Sequence, residues 1–276
     1  MSVTAVIVSR NDGYGGHLEE RATYCLNSMI NSFEEVIYVD WNSPTKETLI
    51  DVIKKDLILK GNLVSIRVPK EFHDSLNLSD GAQKCVEVLG RNIGIRRAKG
   101  DCIISTNVDI IAPRNIIYDP SGFYIAARRD IDLTSVEALG SSNDIQVVQD
   151  TLHRNIAAYG HAPIDVVMFK GDIYSKVGYC GDFQIASKEL WYKIRGFEES
   201  FVFRGYADTH VQVKAYYAGY ELVATTETSV FHIRHGGGLG GGVGRSNGMG
   251  EVRDITVSEN KASWGFSNID FEIERM

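Results

Sequence analysis

The sequence predicts an α/β fold with a mostly parallel β-sheet flanked by helices. Short apolar segments of strand length alternate along the chain with segments whose apolar residues recur at helical spacing. Polar residues follow several of these strands at their carboxyl ends, where ligands bind in open α/β sheets. With 276 residues, of which 43% are hydrophobic, the chain can bury the core of one large domain.

Three apolar segments in the first half of the chain have the length and composition of strands. They are residues 3–9, 36–40 and 63–68, and turn-forming polar residues follow the first two. A helix between the first two strands is indicated by one apolar stripe, formed by Ala22, Cys25, Leu26, Met29 and Phe33. This alternation is typical of a parallel sheet that binds a nucleotide.

A later helix is indicated by the apolar residues Ala82, Val86, Leu89 and Ile93. It contains glycines at positions 90 and 94, each of which costs ~1 kcal/mol relative to alanine. Two glycines one turn apart indicate that a neighbour approaches closely. Either the helix packs tightly against the sheet, or backbone or a ligand lies beside Arg91 and Asn92.

The fourth predicted strand, at residues 102–105, leads directly into Thr106, Asn107, Val108 and Asp109. An apolar pair and Pro113 follow within four residues. The strand therefore delivers a carboxylate to its carboxyl end, the ligand-binding end of an open α/β sheet.

The second half of the chain contains a further series of elements. We expect a helix near residues 146–159 and strands at 165–169 and 181–187. Ser187 is placed to cap a helix at 188–194, and a helix from 205 ends at Gly219, which fits a carboxyl cap. Residues 221–225 and 229–234 have the composition of closing strands.

Composition argues against nucleic acid or an anionic membrane as a partner. The 29 basic and 36 acidic residues give a net charge of −7, without a block of like charge. Solvated arginines explain the pairs Arg96-Arg97 and Arg128-Arg129 at least as well as an anion site does. The four cysteines lack CxxC spacing and favour a reducing compartment. No window approaches the ~20 apolar residues of a membrane span, so we expect a cytoplasmic protein without an integral membrane segment.

Two motifs resemble those of a known enzyme class. The run NxGxxxAxGDxxxxxNxD, from Asn92 to Asp109, resembles the core of A-type nucleotide-sugar glycosyltransferases, notably glycosyltransferase family 2 and its relatives. Those enzymes normally carry Asp-x-Asp where this chain has Asn107-Val108-Asp109, although the chain also looks like a group in which NxD is habitual. Residues 205–208 resemble the acceptor-side G(W/Y)GxED segment of galactosyltransferase-like domains, with Ala207 in place of the glutamate.

The resemblance spans residues 3–235 and implies an A-type glycosyltransferase fold with a small antiparallel acceptor-side sheet. We expect one domain over residues 1–235, with a nucleotide-binding half at 1–112 and an acceptor-side half at 113–235. The remainder, 236–276, comprises a glycine-rich loop and a tail that docks through Trp264, Phe266 and Phe271. The loop lacks the context of a dinucleotide fingerprint or a P-loop, so it is either a linker or a lid over bound nucleotide.

The activity implied is transfer of a sugar from a nucleotide-diphosphate donor, preferably UDP-linked, to a hydroxyl of a glycan or small-molecule acceptor. The donor-binding candidates at or near strand ends are Ser9, Arg10, Asn11, Asp40, Asn107, Val108 and Asp109, and Arg91 on the predicted helix is a further candidate. Asp40 could instead cap the turn that follows it, and Arg91 could be only a surface residue.

Asp109 is the best candidate ligand for a divalent ion, Mn²⁺ or Mg²⁺, that neutralises the departing diphosphate. With Asn107 in place of a carboxylate, we expect weak metal binding without nucleotide. The resemblance implies that His232 completes the site, and an imidazole ligand favours Mn²⁺, but His232 could also be structural. On a continuous strand His232 and His235 face opposite ways, so only one would enter the site.

The resemblance also assigns Asp208 as the general base of an inverting reaction. Asp208 could instead be a carboxylate that the helix dipole favours. Asp182 is the alternative base, or a residue that binds the acceptor. A sugar nucleotidyltransferase is disfavoured because the chain lacks an early Gly-rich phosphate loop with Lys or Arg. A non-catalytic nucleotide-sugar or glycan-binding module is the other alternative, because Asn107 and Ala207 replace acidic residues.

Overall fold

The computed structural model describes residues 1–78, 84–160, 181–202, 207–236 and 260–276, together with the backbone of two short strands between 166 and 175. The strands, in chain order, are β1 (Val3–Ser9), β2 (Glu35–Trp41), β3 (Leu63–Val68), β4 (Cys102–Thr106), β5 (Ile110–Ile111), β6 (Gly122–Ile131), β7 (Val166–Phe169), β8 (Asp172–Ser175), β9 (Phe183–Ser187), β10 (Glu221–Ile233) and β11 (Glu272–Arg275). The helices are α1 (Leu18–Ser32), α2 (Leu49–Ile53), α3 (Lys70–Ser75), α4 (Glu87–Arg97), α5 (Leu133–Glu137), α6 (Ile145–Arg154), α7 (Lys188–Lys193) and α8 (Ala207–Tyr217).

Nine of these strands form one mixed sheet, in the order β11-β3-β2-β1-β4-β9-β6-β10-β5. The central strands β3, β2, β1 and β4 run parallel, as the alternation of strands and helices predicts. Their carboxyl ends therefore share one edge of the sheet. Ser9 and Asp40 are paired there in the β1–β2 register, and β4 ends beside β1 at Thr106.

The other half of the sheet mixes both strand directions. Strand β9 runs antiparallel to β4 and to β6, and β6 runs parallel to β10. The short strand β5 pairs antiparallel with the end of β10, with Ile110 opposite His232. The backbone N–H of Ile233 donates to the Asp109 carbonyl at 2.9 Å. This pairing brings the end of β10 next to the segment that follows β4.

Helix α4 packs directly on the central strands. A Cβ atom added at Gly90 would lie 2.6 Å from Cγ1 of Val8, and one added at Gly94 would overlap Cγ1 of Val6. The two glycines thus permit close packing of the helix against the sheet, which confirms the first of the two interpretations of the glycine pair. Because Arg91 and Asn92 lie on the same helix, this close packing also fixes their height above the sheet.

The carboxyl-terminal tail, residues 260–276, completes the sheet at its other edge. Strand β11 pairs antiparallel with β3, and Trp264 and Phe271 are buried, as predicted for a docking tail. Arg97 of α4 donates hydrogen bonds to the carbonyls of Gly265, Phe266 and Ile269. The tail therefore holds α4 from the side opposite to the sheet.

Several local predictions are confirmed and others need correction. The Ser187 hydroxyl accepts from the Leu190 N–H at 3.1 Å, and Gly219 has a φ of +91°, as a helix carboxyl cap requires. The two predicted closing strands are one strand, β10, whose register with β6 shifts between Thr225 and Ser229. Strand β6 was not predicted. The glycine-rich loop lies outside the described residues, apart from Gly236.

Within the described residues, no helix has the length and hydropathy needed to cross a bilayer.

Candidate metal and donor site

The side chain of Asp109 is buried between strands β4 and β5, at the carboxyl edge of the parallel strands. Its Oδ2 atom lies 3.2 Å from Nη1 of Arg21, a buried residue of α1. Its Oδ1 atom is also buried and has no hydrogen-bond partner among the described residues. A buried carboxylate oxygen without a partner is costly unless a ligand or ion completes it.

Two imidazoles face the same carboxylate. Nε2 of His235 lies 2.9 Å and Nε2 of His232 lies 3.7 Å from Oδ2 of Asp109. One ligand atom from each of the three residues falls within 4.8 Å of the others. The prediction that only one histidine would face the site is wrong. Strand β10 ends at Ile233, so the alternation of side chains along a strand does not extend to His235.

The protonation of this cluster suits a divalent cation. Burial lowers the pKa of His232, which favours the neutral imidazole that coordinates metal. Nδ1 of His232 lies 2.8 Å from Oδ1 of Asp130, an arrangement that directs Nε2 towards Asp109. Burial opposes ionisation of Asp109, but the hydrogen bond with His235 and positively charged groups nearby, Arg21 among them, hold its pKa below the ordinary value. One carboxylate and two imidazoles form a donor set that fits Mn²⁺.

The loop between β1 and α1 holds His235 in place. The Gly236 N–H donates to the carbonyl of Gly15 at 3.1 Å, and the ring of Tyr14 lies edge-on to His235 with centroids 5.2 Å apart. Gly15 has a φ of +75°, and a Cβ atom there would lie 2.5 Å from Nδ1 of His235. Arg21 donates to the carbonyls of Gly16 and Tyr14, so the same side chain that contacts Asp109 also fixes the loop.

A second polar cluster is centred on Asn107. Its amide oxygen accepts from Nη2 of Arg91 at 2.5 Å, and its amide nitrogen donates to Oδ1 of Asp182 at 2.6 Å. Arg91 also donates to the Ser105 hydroxyl at 2.8 Å. The other oxygen of Asp182 accepts from Nη1 of Arg128 at 2.9 Å. Arg91 is thus a buried residue of this cluster and not a surface residue.

The carboxyl group of Asp182 has a raised pKa. Burial is the main cause, the charges of Asp109 and Asp208 add to it and Arg128 opposes it, and the resulting pKa is about 7. Near neutral pH this group is therefore only partly ionised. Its two hydrogen bonds nevertheless restrict its orientation.

Asp208 lies in the first turn of α8, and its carboxylate packs against the Cα of Gly181. Nε2 of Gln184 donates to its backbone carbonyl at 3.1 Å. Burial raises the pKa of Asp208, and the charge of Arg91 partly opposes this shift. Within the part of the chain that the structure describes, no side chain donates to its carboxylate. Of the two candidate bases, Asp208 is therefore the less constrained.

The other predicted donor-binding residues lie farther along the same sheet edge. Asp40 is buried and accepts from the Ser43 hydroxyl at 2.7 Å, and burial raises its pKa. The Asn11 N–H donates to the same hydroxyl at 2.9 Å, so the turn-capping interpretation of Asp40 describes what its side chain does. Ser9 is buried beside Asp40. Nε of Arg10 lies 3.6 Å from Oδ2 of Asp12. The side chain of Val108 is part of the apolar core.

Sequence reasoning missed three residues that organise the site, namely Arg21, Arg128 and Asp130. Composition alone allowed a solvated Arg128 at least as readily as an anion site, but Arg128 is largely buried and pairs with Asp182 at 2.9 Å and Asp130 at 2.7 Å. The spacing Arg-x-Asp puts both side chains on one face of a strand, and this signal was available in the sequence. Arg21 carries no such signal, because its partner Asp109 is 88 residues away.

No protein-family model and no curated protein sequence matches the chain. Similar solved structures include GalNAc-T7 with UDP, GalNAc and Mn²⁺, at 15% identity and a TM-score of 0.54, covering 85% of this chain and 44% of that one. They also include residues 1–349 of S. aureus TarS in complex with UDP-GlcNAc, at 14% identity and a TM-score of 0.51, covering 86% of this chain and 60% of that one. This chain thus spans less than two thirds of either structure. The likeness shows a fold shared with these two proteins, a mixed α/β sheet with mostly parallel core strands and flanking helices.

Proposed function

We propose that the protein is a metal-dependent, inverting glycosyltransferase that uses a nucleotide-diphosphate sugar, preferably UDP-linked. The observation that carries this proposal is the cluster of Asp109, His232 and His235, with a buried Asp109 oxygen that lacks a partner, at the carboxyl edge of the parallel strands. The solved structures of similar fold support the donor class, since their descriptions name UDP, UDP-GlcNAc and Mn²⁺.

Each half of the chain has a role in this proposal. Residues 1–112 would bind the donor, and we assign the nucleotide to Ser9 and Asp40, which are paired at the ends of β1 and β2, and to Arg10 and Asn11, which follow β1. Residues 113–235 bind the acceptor, a hydroxyl-bearing glycan or small molecule, and the β7–β8 pair serves as the small antiparallel acceptor-side sheet. Asp109, His232 and His235 would hold Mn²⁺ or Mg²⁺, which supplies charge neutralisation for the departing diphosphate.

Asp208 is the proposed general base. Its carboxylate accepts the proton of the acceptor hydroxyl as that oxygen bonds to the anomeric carbon and the bond from that carbon to the diphosphate oxygen breaks. Attack from the face opposite the leaving group inverts the anomeric configuration. The raised pKa of Asp208, caused by burial, strengthens it as a base. Asp182 is held by Asn107 and Arg128, so we assign it to acceptor binding and to orientation of the site.

The proposal is tested by incubating the protein with a panel of UDP-sugars and Mn²⁺ and measuring released UDP. Wild type should release UDP by transfer or slow hydrolysis. Asp208→Asn should bind UDP like wild type but release it at least 100-fold more slowly, since general base catalysis contributes roughly 10²–10⁴-fold. If wild type binds a UDP-sugar but neither transfers nor hydrolyses it, the protein is a binding module and not an enzyme.

A further inference from the structure

The amide of Asn107 bridges two charged side chains that have opposite hydrogen-bonding requirements. Arg91 can only donate, and an ionised Asp182 can only accept. The oxygen of the amide must therefore face Arg91, at 2.5 Å, and the nitrogen must face Asp182, at 2.6 Å. Among side chains of this size and shape, only an amide meets both requirements at once. An aspartate could accept from Arg91 but could not, when ionised, donate to Asp182.

Both partners of the amide are held at their other atoms. Arg91 donates to the Ser105 hydroxyl and to the carbonyl of Gly181, and its guanidinium lies over the ring of Phe197 at 5.4 Å from the centroid. Asp182 accepts from Arg128, which also pairs with Asp130. Since Asp130 in turn lies 2.8 Å from the ring of His232, a continuous chain of polar contacts links Asn107 to the metal cluster.

We propose that Asn107 is a positioning residue whose amide fixes Arg91 and Asp182 relative to each other, and that a carboxylate at this position would disrupt the site. On this account the asparagine is a requirement of this chain and not a weakened metal ligand. Its side chain points to Arg91 and Asp182, whereas the metal cluster consists of Asp109, His232 and His235. The consequence for ligand binding depends on the proposed function, whereas the consequence for stability does not.

The experiment exchanges the two functional groups. Asn107→Asp alone sets two carboxylates face to face at hydrogen-bond distance, where like charges repel. The double variant N107D/D182N restores the bond with its direction reversed. The carboxylate then accepts from Arg91 and from the new amide at position 182, whose oxygen accepts from Arg128. Asn107→Ala removes the amide without adding charge and serves as the control.

The first readout is thermal unfolding without ligand at about pH 8.5, where Asp182, with its pKa of about 7, is ionised. N107D should lower the Tm by at least about 5 °C, N107A should lower it less, and the double variant should recover most of the loss. Because this readout needs no donor, it stands even if wild type binds no nucleotide. A Tm of N107D equal to that of wild type, or a double variant no more stable than N107D, would overturn the proposal.

Affinity for UDP in the presence of Mn²⁺ gives the second readout, which a purely structural role would not move. At a temperature where every variant is folded, N107A should bind UDP at least tenfold more weakly than wild type, and the double variant should bind within about threefold of wild type. If folded N107A binds as wild type does, the positioning role is wrong. If wild type itself fails to bind UDP, the proposed function fails while the thermal result still decides the role of the amide bridge.

Discussion

At the scale of single residues, the site depends on which atoms are committed to the protein and which are left to bind a ligand. Nδ1 of His232 is committed to Asp130, and Oδ2 of Asp109 to Arg21. Oδ1 of Asp109 and the Nε2 atoms of His232 and His235, which face Asp109, remain for a cation. Local pattern pointed to Asp109, and the family resemblance pointed to His232. Neither could predict the contact between Asp130 and His232, because it depends on the β6–β10 register, in which these two residues are paired.

Replacing histidines of this chain by alanine should change the affinity for Mn²⁺ only where the histidine belongs to the metal cluster. Replacing His235 by alanine removes the imidazole nearest to Asp109, so the affinity for Mn²⁺ should fall about tenfold or more. His153→Ala, at an exposed position of α6, should leave the affinity unchanged. Isothermal titration with Mn²⁺, in the presence of saturating UDP, measures both. Equal affinities for the His235 variant and wild type would remove His235 from the site.

The free energy of unfolding should fall as the pH rises towards neutrality, because Asp182 then has to ionise in the folded protein. Its pKa of about 7 in the folded protein exceeds the ~3.9 of unfolded aspartate, so the folded state holds an extra proton between these values. This extra proton on Asp182 stabilises the folded state. Its contribution to the free energy of unfolding is complete below about pH 4 and is lost as the pH rises through about 7, by at most ~1.4 kcal/mol per pH unit.

Urea unfolding of metal-free protein at about pH 5 and about pH 7.5 measures this effect. The free energy of unfolding of wild type should fall between the two values relative to that of Asp182→Asn, which cannot ionise. Histidines whose pKa is lowered by burial, such as His232, act in the opposite direction but are common to both proteins. Parallel pH dependences for the two proteins would contradict the raised pKa.

At the scale of elements, helix α4 shows how a sequence irregularity encodes packing. Its glycines were recognisable because they reduce helix propensity without ending the helix. Strands β1 and β3 were predicted with the bounds they have, since each is a mostly apolar segment of strand length. Strand β6 was missed because it contains Arg128, Arg129 and Asp130, charged residues whose partners include Asp182, Tyr159 and His232, all distant in sequence.

Alanine at Gly94 should destabilise the protein although alanine favours helices. The added methyl group would overlap Cγ1 of Val6, and such overpacking costs about 1–3 kcal/mol, against a gain in propensity of ~1 kcal/mol. Gly160→Ala is the matched control, because a Cβ atom at Gly160 has no neighbour within 4 Å. Chemical denaturation compares the two variants. A Gly94 variant as stable as wild type would mean that α4 does not lie against Val6.

At the scale of the whole molecule, the chain folds back so that its last strand covers β3 and its tail supports α4. The Gly265 N–H donates to Oε1 of Glu199 at 2.7 Å, and the same oxygen accepts from the Asn92 amide at 3.1 Å. The aromatic residues of the tail predicted that it docks. These residues could not predict that the tail docks beside β3, because the antiparallel pairing of β11 with β3 depends on the folded sheet.

Trp264 should be the main anchor of this tail. It is 2% exposed and packs edge-on against Tyr192, so its replacement by alanine should cost about 3–5 kcal/mol. Ile273→Ala, at a position of β11 that is 46% exposed, should cost much less. Thermal and chemical unfolding measure the difference. Equal, small losses of stability in both variants would show that the tail does not support the domain.

The central claim, that Asp109 and its two histidines form a metal centre for a nucleoside diphosphate, is tested most directly by calorimetric titration with UDP. Wild type should bind UDP with Mn²⁺ present and at least tenfold more weakly with EDTA, and Asp109→Asn should lose the metal-dependent part. Asp270→Asn, at an exposed position of the tail, should behave as wild type. UDP binding of equal strength with and without Mn²⁺, unaffected by Asp109→Asn, would contradict the account.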